Sequence, residues 1–119
     1  MNKIWMTVSL AGFCALPLAA ADVTGDWKVS GDVAGNAVDA VCTLKQDSAS
    51  KLTGICKGDA GGTALTGDVK DKKVTFIYDI DYQGAHYTLV YAATLDSDTQ
   101  MTGTIDAGVA NGGFTAKKQ

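Results

Sequence analysis

The chain predicts an all-β fold, an eight-stranded antiparallel up-and-down barrel carrying one disulfide. Three observations lead there. The 13 acidic residues are all Asp and the 10 basic residues all Lys. Asp favours turns and caps, whereas the absent Glu and Arg are strong helix formers. Short apolar–polar alternations follow one another along the chain, separated by clusters of Gly, Asp, Asn and Ser. No window sustains an apolar 3.6-residue period long enough for a helix.

Residues 1–21 read as an export signal. Lys3 gives the positive start, Ile4 to Leu18 is largely apolar, and Ala19-Ala20-Ala21 offers small residues before Asp22. Thr7, Ser9, Gly12 and Pro17 interrupt the run too often for a membrane span. Cys14 follows Phe13, where a lipidation motif needs a small residue. Signal removal leaves 22–119 as a single domain with two cysteines, Cys42 and Cys56. Export places that pair in an oxidising compartment, periplasmic or secreted, where a disulfide is expected.

Eight β-patterned runs follow: Val23–Gly31, Ala37–Gln46, Lys51–Lys57, Thr63–Val69, Lys73–Tyr82, Ala85–Leu95, Thr99–Asp106 and Gly113–Lys118. In the first, Val23, Gly25, Trp27 and Val29 share a face. A hairpin about Asp47–Ser50 pairs Lys45 with Thr53 and Cys42 with Cys56. Both cysteines then lie on the face of Val38, Leu44 and Leu52, close enough to bond. Closing a loop of roughly 15 residues stabilises by about 3 kcal/mol in the chain-entropy model. A two-residue turn at Gln83-Gly84 pairs Tyr82 with Ala85, Ile80 with Tyr87, Tyr78 with Leu89 and Phe76 with Tyr91. Every one of those pairs falls on the apolar face, and a one-residue slip would destroy the agreement.

An apolar–Thr–Gly element recurs at Val23–Gly25, Leu52–Gly54, Leu65–Gly67 and Met101–Gly103, each time with Gly inward. Inward strand glycines mark bends and close backbone approaches, as in a sheet coiling to close on itself. Eight strands match the smallest barrel whose side chains fill its interior. A two-sheet sandwich satisfies the same spacing.

From Gly25-x-Trp27 to the ending Gly113-Phe114-Thr115-Ala116-Lys117-Lys118 the chain resembles the calycins, the lipocalin and avidin group of eight-stranded barrels. The resemblance implies a barrel floor in which Lys118 lies across Trp27. Lipocalins usually carry Arg there, and avidins stack biotin between several Trp residues. This chain has no Arg, and Trp27 is the sole Trp after the signal, so biotin is not implied. The stretch Gly25–Gly31 with Cys42, Leu44, Leu52, Gly54 and Cys56 also resembles the bacterial periplasmic metalloprotease-inhibitor barrels. Their inhibitory trunk precedes the Gly-x-Trp strand, where this domain has Asp22, Val23 and Thr24.

The side-chain inventory argues against catalysis. His86 is the one histidine, and on the proposed hairpin it lies outside, opposite Asp81 and near Asp79, with no nucleophile beside it. Asp96-Ser97-Asp98 with Asp106 has Met101 where a calcium loop needs Gly, so it reads as a turn. Neither a metal nor a cofactor is expected. A net charge of −3, more negative once Lys3 leaves, disfavours nucleic acid and anionic membrane.

Two functions from different classes remain. The first is a binding module for a small apolar or aromatic ligand, held near Tyr78, Ile80, Tyr82 and Tyr87 at the end opposite the Trp27 floor, with the loops Asp32–Asn36 and Ala107–Gly112 available to line the opening. The second is a protein-interaction barrel, an inhibitor or accessory of an exported enzyme, using outward Val41, Ile55, Ile77 and Val90.

Overall fold

The computed structural model describes residues 22–58 and 61–119. The export-signal reading of 1–21, and with it Cys14, lies outside the described residues. The elements are β1 Gly25–Val33, β2 Asn36–Gln46, β3 Lys51–Gly58, β4 Gly61–Lys70, β5 Lys73–Tyr82, β6 Ala85–Ser97, β7 Gln100–Asp106 and β8 Asn111–Lys118. Each pairs antiparallel with the next, and β1 pairs with β8 from Trp27↔Lys118 to Val33↔Gly112. That last ladder closes the barrel and excludes the sandwich.

Both hairpin registers expected from alternation are present. Tyr82 pairs with Ala85, Ile80 with Tyr87, Tyr78 with Leu89 and Phe76 with Tyr91. Cys42 pairs with Cys56 and Lys45 with Thr53, and the two cysteines form a disulfide. The inward set, including Trp27, Val29, Leu44, Leu52, Leu65, Phe76, Tyr91, Met101 and Ile105, makes one buried core.

Strand ends differ from the sequence expectation for local reasons. β1 begins at Gly25 rather than Val23, because Val23 turns inward: its N–H donates to Gln46 Oε1 at 3.0 Å and its carbonyl accepts Trp27 Nε1–H at 2.8 Å. At the other end of β1, Asp32 and Val33 pair with Ala37 and Asn36. The expected five-residue loop Asp32–Asn36 thus shrinks to the turn Ala34-Gly35, whose residues both have positive φ, 53° and 83°. This is the backbone twist that two-residue hairpin turns require. The loop Ala107–Gly112 likewise shortens to Ala107–Ala110, held by Ala107 N–H on Ala110 O at 2.8 Å.

Three inward glycines let the sheet coil. A Cβ on Gly54 would meet Thr43 O, one on Gly67 would meet Thr75 O, and one on Gly103 would meet Ala92 O. Neighbouring backbone occupies the space a side chain would need, so the strands close tightly there. Phe76 lies opposite Gly67, and Phe114 opposite Gly103, filling the interior that the glycines leave.

Candidate functional site at the open mouth

In an up-and-down meander the turns after the first, third, fifth and seventh strands share one rim. Ala34-Gly35, Gln83-Gly84 and Ala107–Ala110 therefore surround the same opening. The opposite end is closed. Trp27 is buried there beneath Val23, and Lys118 Nζ stands 5.9 Å from the Trp27 ring centroid, with its stem against Gly25. A lysine at that distance gains a cation–π attraction while its chain covers apolar surface.

The mouth is less complete than the floor. The β4–β5 ladder runs from Lys70↔Lys73 only to Thr66↔Ile77, and β6–β7 ends at Val90↔Asp106. Beyond those points Tyr78–Tyr82 and Ala85–Leu89 pair with each other alone. The outer half of this hairpin is a two-stranded ribbon with both edges free. A second edge faces it, because the β2–β3 ladder stops at Val41↔Lys57 and leaves Asn36–Ala40 paired with β1 only.

Two adjacent cavities open in this gap. One, of about 220 Å³, lies between the Val33–Val38 turn, the β5–β6 ribbon and the Ala107–Ala110 loop. Ile80, Tyr82, Tyr87 and Leu89 form its ribbon wall, and no charged residue lines it. The other, of about 160 Å³, lies where β4 and β5 part; Cys56, Thr63, Tyr78 and Ile80 line it. The two share Ala37, Val38, Ile80, Tyr82 and Leu89. Thus Ile80, Tyr82 and Tyr87 stand around the larger cavity, while Tyr78 stands deeper, in the smaller one. Tyr82 is 43% exposed and Val109, on the facing loop, 82%.

Below the mouth four aromatic rings are fixed together. Tyr91 stacks on Phe76 at 4.6 Å and on Tyr78 at 5.3 Å, and meets Phe114 edge-on at 5.0 Å. The Tyr78 and Tyr91 hydroxyls are 2.6 Å apart, a short hydrogen bond inside the barrel. Burial pushes both phenols above their ordinary range, Tyr91 the further because Tyr78 adds charge repulsion and a hydrogen bond to its neutral form.

Outside the barrel, His86 Nδ1 is 3.0 Å from Asp81 and Nε2 3.5 Å from Asp79, which also accepts from Thr88 at 2.8 Å. The hydrogen bond that the imidazole donates to Asp81 is the main cause that raises it above its ordinary range. All three groups face solvent. Asp96 accepts from Thr102 at 2.6 Å and from Gln100 at 3.4 Å, as a turn carboxylate does. No group of three or more His, Cys, Asp or Glu side chains is arranged to hold a metal ion among the described residues.

Ala37, Val38 and Leu89 had no place in the sequence-based site, whereas Val109 falls in the loop Ala107–Gly112 that was expected to line the opening. Strand parity puts Val38 and Leu89 inward, and the meander rule puts both loops on one rim; together these signals would have found them.

No family model matches the chain, and no curated protein does. Among solved structures it is similar to a redesigned β-barrel, with TM-score 0.64 and 18% identity over 84% of this chain and 96% of that one. That likeness concerns the barrel architecture.

Proposed function

We propose that this is an exported, non-catalytic, calycin-like barrel that binds a small apolar or aromatic molecule in its open mouth. The observation that carries the reading is the contrast between a sealed floor and a mouth that keeps a cavity of about 220 Å³ with an apolar lining. Concave apolar surface with a few polar tips is the usual character of a small-molecule site. A cavity of about 150 Å³ already accommodates benzene, so a ligand of six to about ten heavy atoms is the right scale. Tyr82 and Tyr87 supply wall area with polar tips, Ile80 sits between the cavities, and Tyr78 closes the deeper end. Export is supported by the pattern of residues 1–21 and by a disulfide suited to an oxidising compartment.

A protease-inhibitor role has weaker support. Val23 is buried in the floor and tied to Gln46 and Trp27, so this residue is held against the barrel rather than projecting as part of a trunk. Outward Ile55 and Ile77, 46% and 41% exposed, are what favours a protein partner. Native mass spectrometry of protein from its own compartment separates the readings by what co-purifies, a small molecule or a protein.

The direct test is a titration with a library of apolar and aromatic compounds, following tyrosine fluorescence and the amide shifts of β5 and β6. Tyr82→Ala or Tyr87→Ala should weaken binding by about 1–3 kcal/mol, the range for a lost buried anchor. Unchanged spectra across the library overturn the reading.

A further inference from the structure

Each phenol hydroxyl has one proton to donate and can accept. The Tyr78–Tyr91 hydrogen bond uses one of the pair's two protons, and the other meets no acceptor among the described residues. Neither ring can swing out to find one. Tyr91 is held between Phe76, Tyr78 and Phe114, and is fully buried. A buried hydroxyl proton without a partner costs the desolvation of that group, so folded proteins rarely leave one.

The surroundings decide which tyrosine holds the spare proton. Tyr91 lines neither cavity; Tyr78, 7% exposed, lines the smaller one. If Tyr78 donated to Tyr91, the free proton would sit in closed core. With Tyr91 donating to Tyr78, the free proton belongs to the side chain beside the cavity, where something can accept it.

We propose that the Tyr78 hydroxyl donates a hydrogen bond to the bound molecule, and that the mouth selects compact neutral ligands with one acceptor, such as aryl or cyclic ketones and aldehydes, over hydrocarbons of the same shape. This rests on the ligand-binding reading above and adds polarity to it. Neutrality follows from the lining: no Lys borders either cavity, and Asp39 at the edge of the smaller one opposes an anion. Burial also keeps the pair protonated, and therefore able to donate, across the ordinary pH range. The aromatic stack beneath fixes the donor before the ligand arrives, which lowers the ordering cost of binding.

The test uses two probes of matched shape, acetophenone and α-methylstyrene, which differ in C=O against C=CH₂. Dissociation constants come from amide-shift titrations of the oxidised protein and of Tyr78→Phe, with Thr102→Val as a variant whose hydroxyl lies outside the barrel and both cavities. Tyr78→Phe should weaken acetophenone three- to tenfold, roughly the range for one neutral hydrogen bond. It should leave α-methylstyrene unchanged, and that unchanged value also shows that the variant folds. Thr102→Val should not alter the ratio between the probes. If Tyr78→Phe moves both probes alike or neither, a trapped water takes the proton; the donor role is then overturned while the apolar site stands. If neither probe perturbs the mouth, and the wider library does not either, the binding reading itself fails.

Discussion

The two ends of the barrel are cut from the same eight strands, yet they treat their edges and interiors differently. At the floor every strand has a neighbour on both sides; Val23 folds in over Trp27, and Lys118 closes over the ring. At the mouth the β4–β5 and β6–β7 ladders stop short, and Tyr78–Leu89 continues as a lone ribbon. An isolated two-stranded hairpin is marginal in water, so the ribbon depends on its base and on whatever its apolar side covers. Stability and adaptability are divided along the barrel axis. The proposed binding surface lies at the less fully paired end, where local opening costs less than in the core.

The sharpest way to break this comparison is to cut one side chain from each end. Trp27→Ala should cost about 3–5 kcal/mol in urea denaturation, the range for removing a large buried aromatic. Ile80→Ala, half-buried beside a space that already exists, should cost on the order of 1 kcal/mol or less, since a truncation next to an open cavity removes few packed neighbours. Equal losses at the two sites would mean that the mouth is as rigidly packed as the floor.

The disulfide marks the boundary between the ends. Cys42↔Cys56 is next to the last rung of the β2–β3 ladder, and beyond Val41↔Lys57 the strands part. Replacing both cysteines with Ala should lower stability by about 3 kcal/mol in the chain-entropy model, slightly less than the loss of Trp27. Denaturation of the oxidised, reduced and Ala-substituted proteins checks it. If reduction leaves the midpoint where it was, the crosslink does not hold the sheet at this boundary.

How much of this was legible beforehand divides along the same axis. Alternation reports which face a side chain takes, and that was enough for the β5–β6 register and the Cys42–Cys56 pairing, whereas closure was expected from the inward glycines and the calycin resemblance, and only the β1–β8 ladder separates barrel from sandwich. Alternation does not report whether a strand edge has a partner. Thr63–Leu65 and Tyr78–Tyr82 carry the same pattern whether their ladder continues or stops at Thr66↔Ile77, so the gap that opens the mouth left no mark in the sequence. Turn lengths were overestimated because Asp32, Val33, Asn111 and Gly112 look like loop residues and yet complete ladders. Four tyrosines were expected on one hairpin, but only packing decides which two hydroxyls meet. Tyr91 is the diagonal neighbour of Tyr78, two residue pairs below Tyr78↔Leu89 and so in the next pair on the same face, and that places the two oxygens together.

The phenol pair also supplies a pH test of where the packed interior gives way to the mouth. Both groups are raised above their ordinary value, chiefly by burial. The unfolded chain releases these protons near its ordinary phenol pKa of about 10, whereas the native state keeps them. Below that pH the contribution is fully present. Above it the unfolded state binds fewer protons than the native one, so stability falls as pH rises toward the native values. The Tyr78→Phe/Tyr91→Phe double variant is the comparison that isolates the pair. Between pH 8 and pH 11 the wild type should lose more of its urea midpoint than the double variant does. The phenolate absorbance of these two residues should rise together with loss of the far-ultraviolet β signal. Equal losses in the two proteins, or phenolate appearing while the barrel is intact, would mean that water reaches the pair and that the mouth extends below Tyr78.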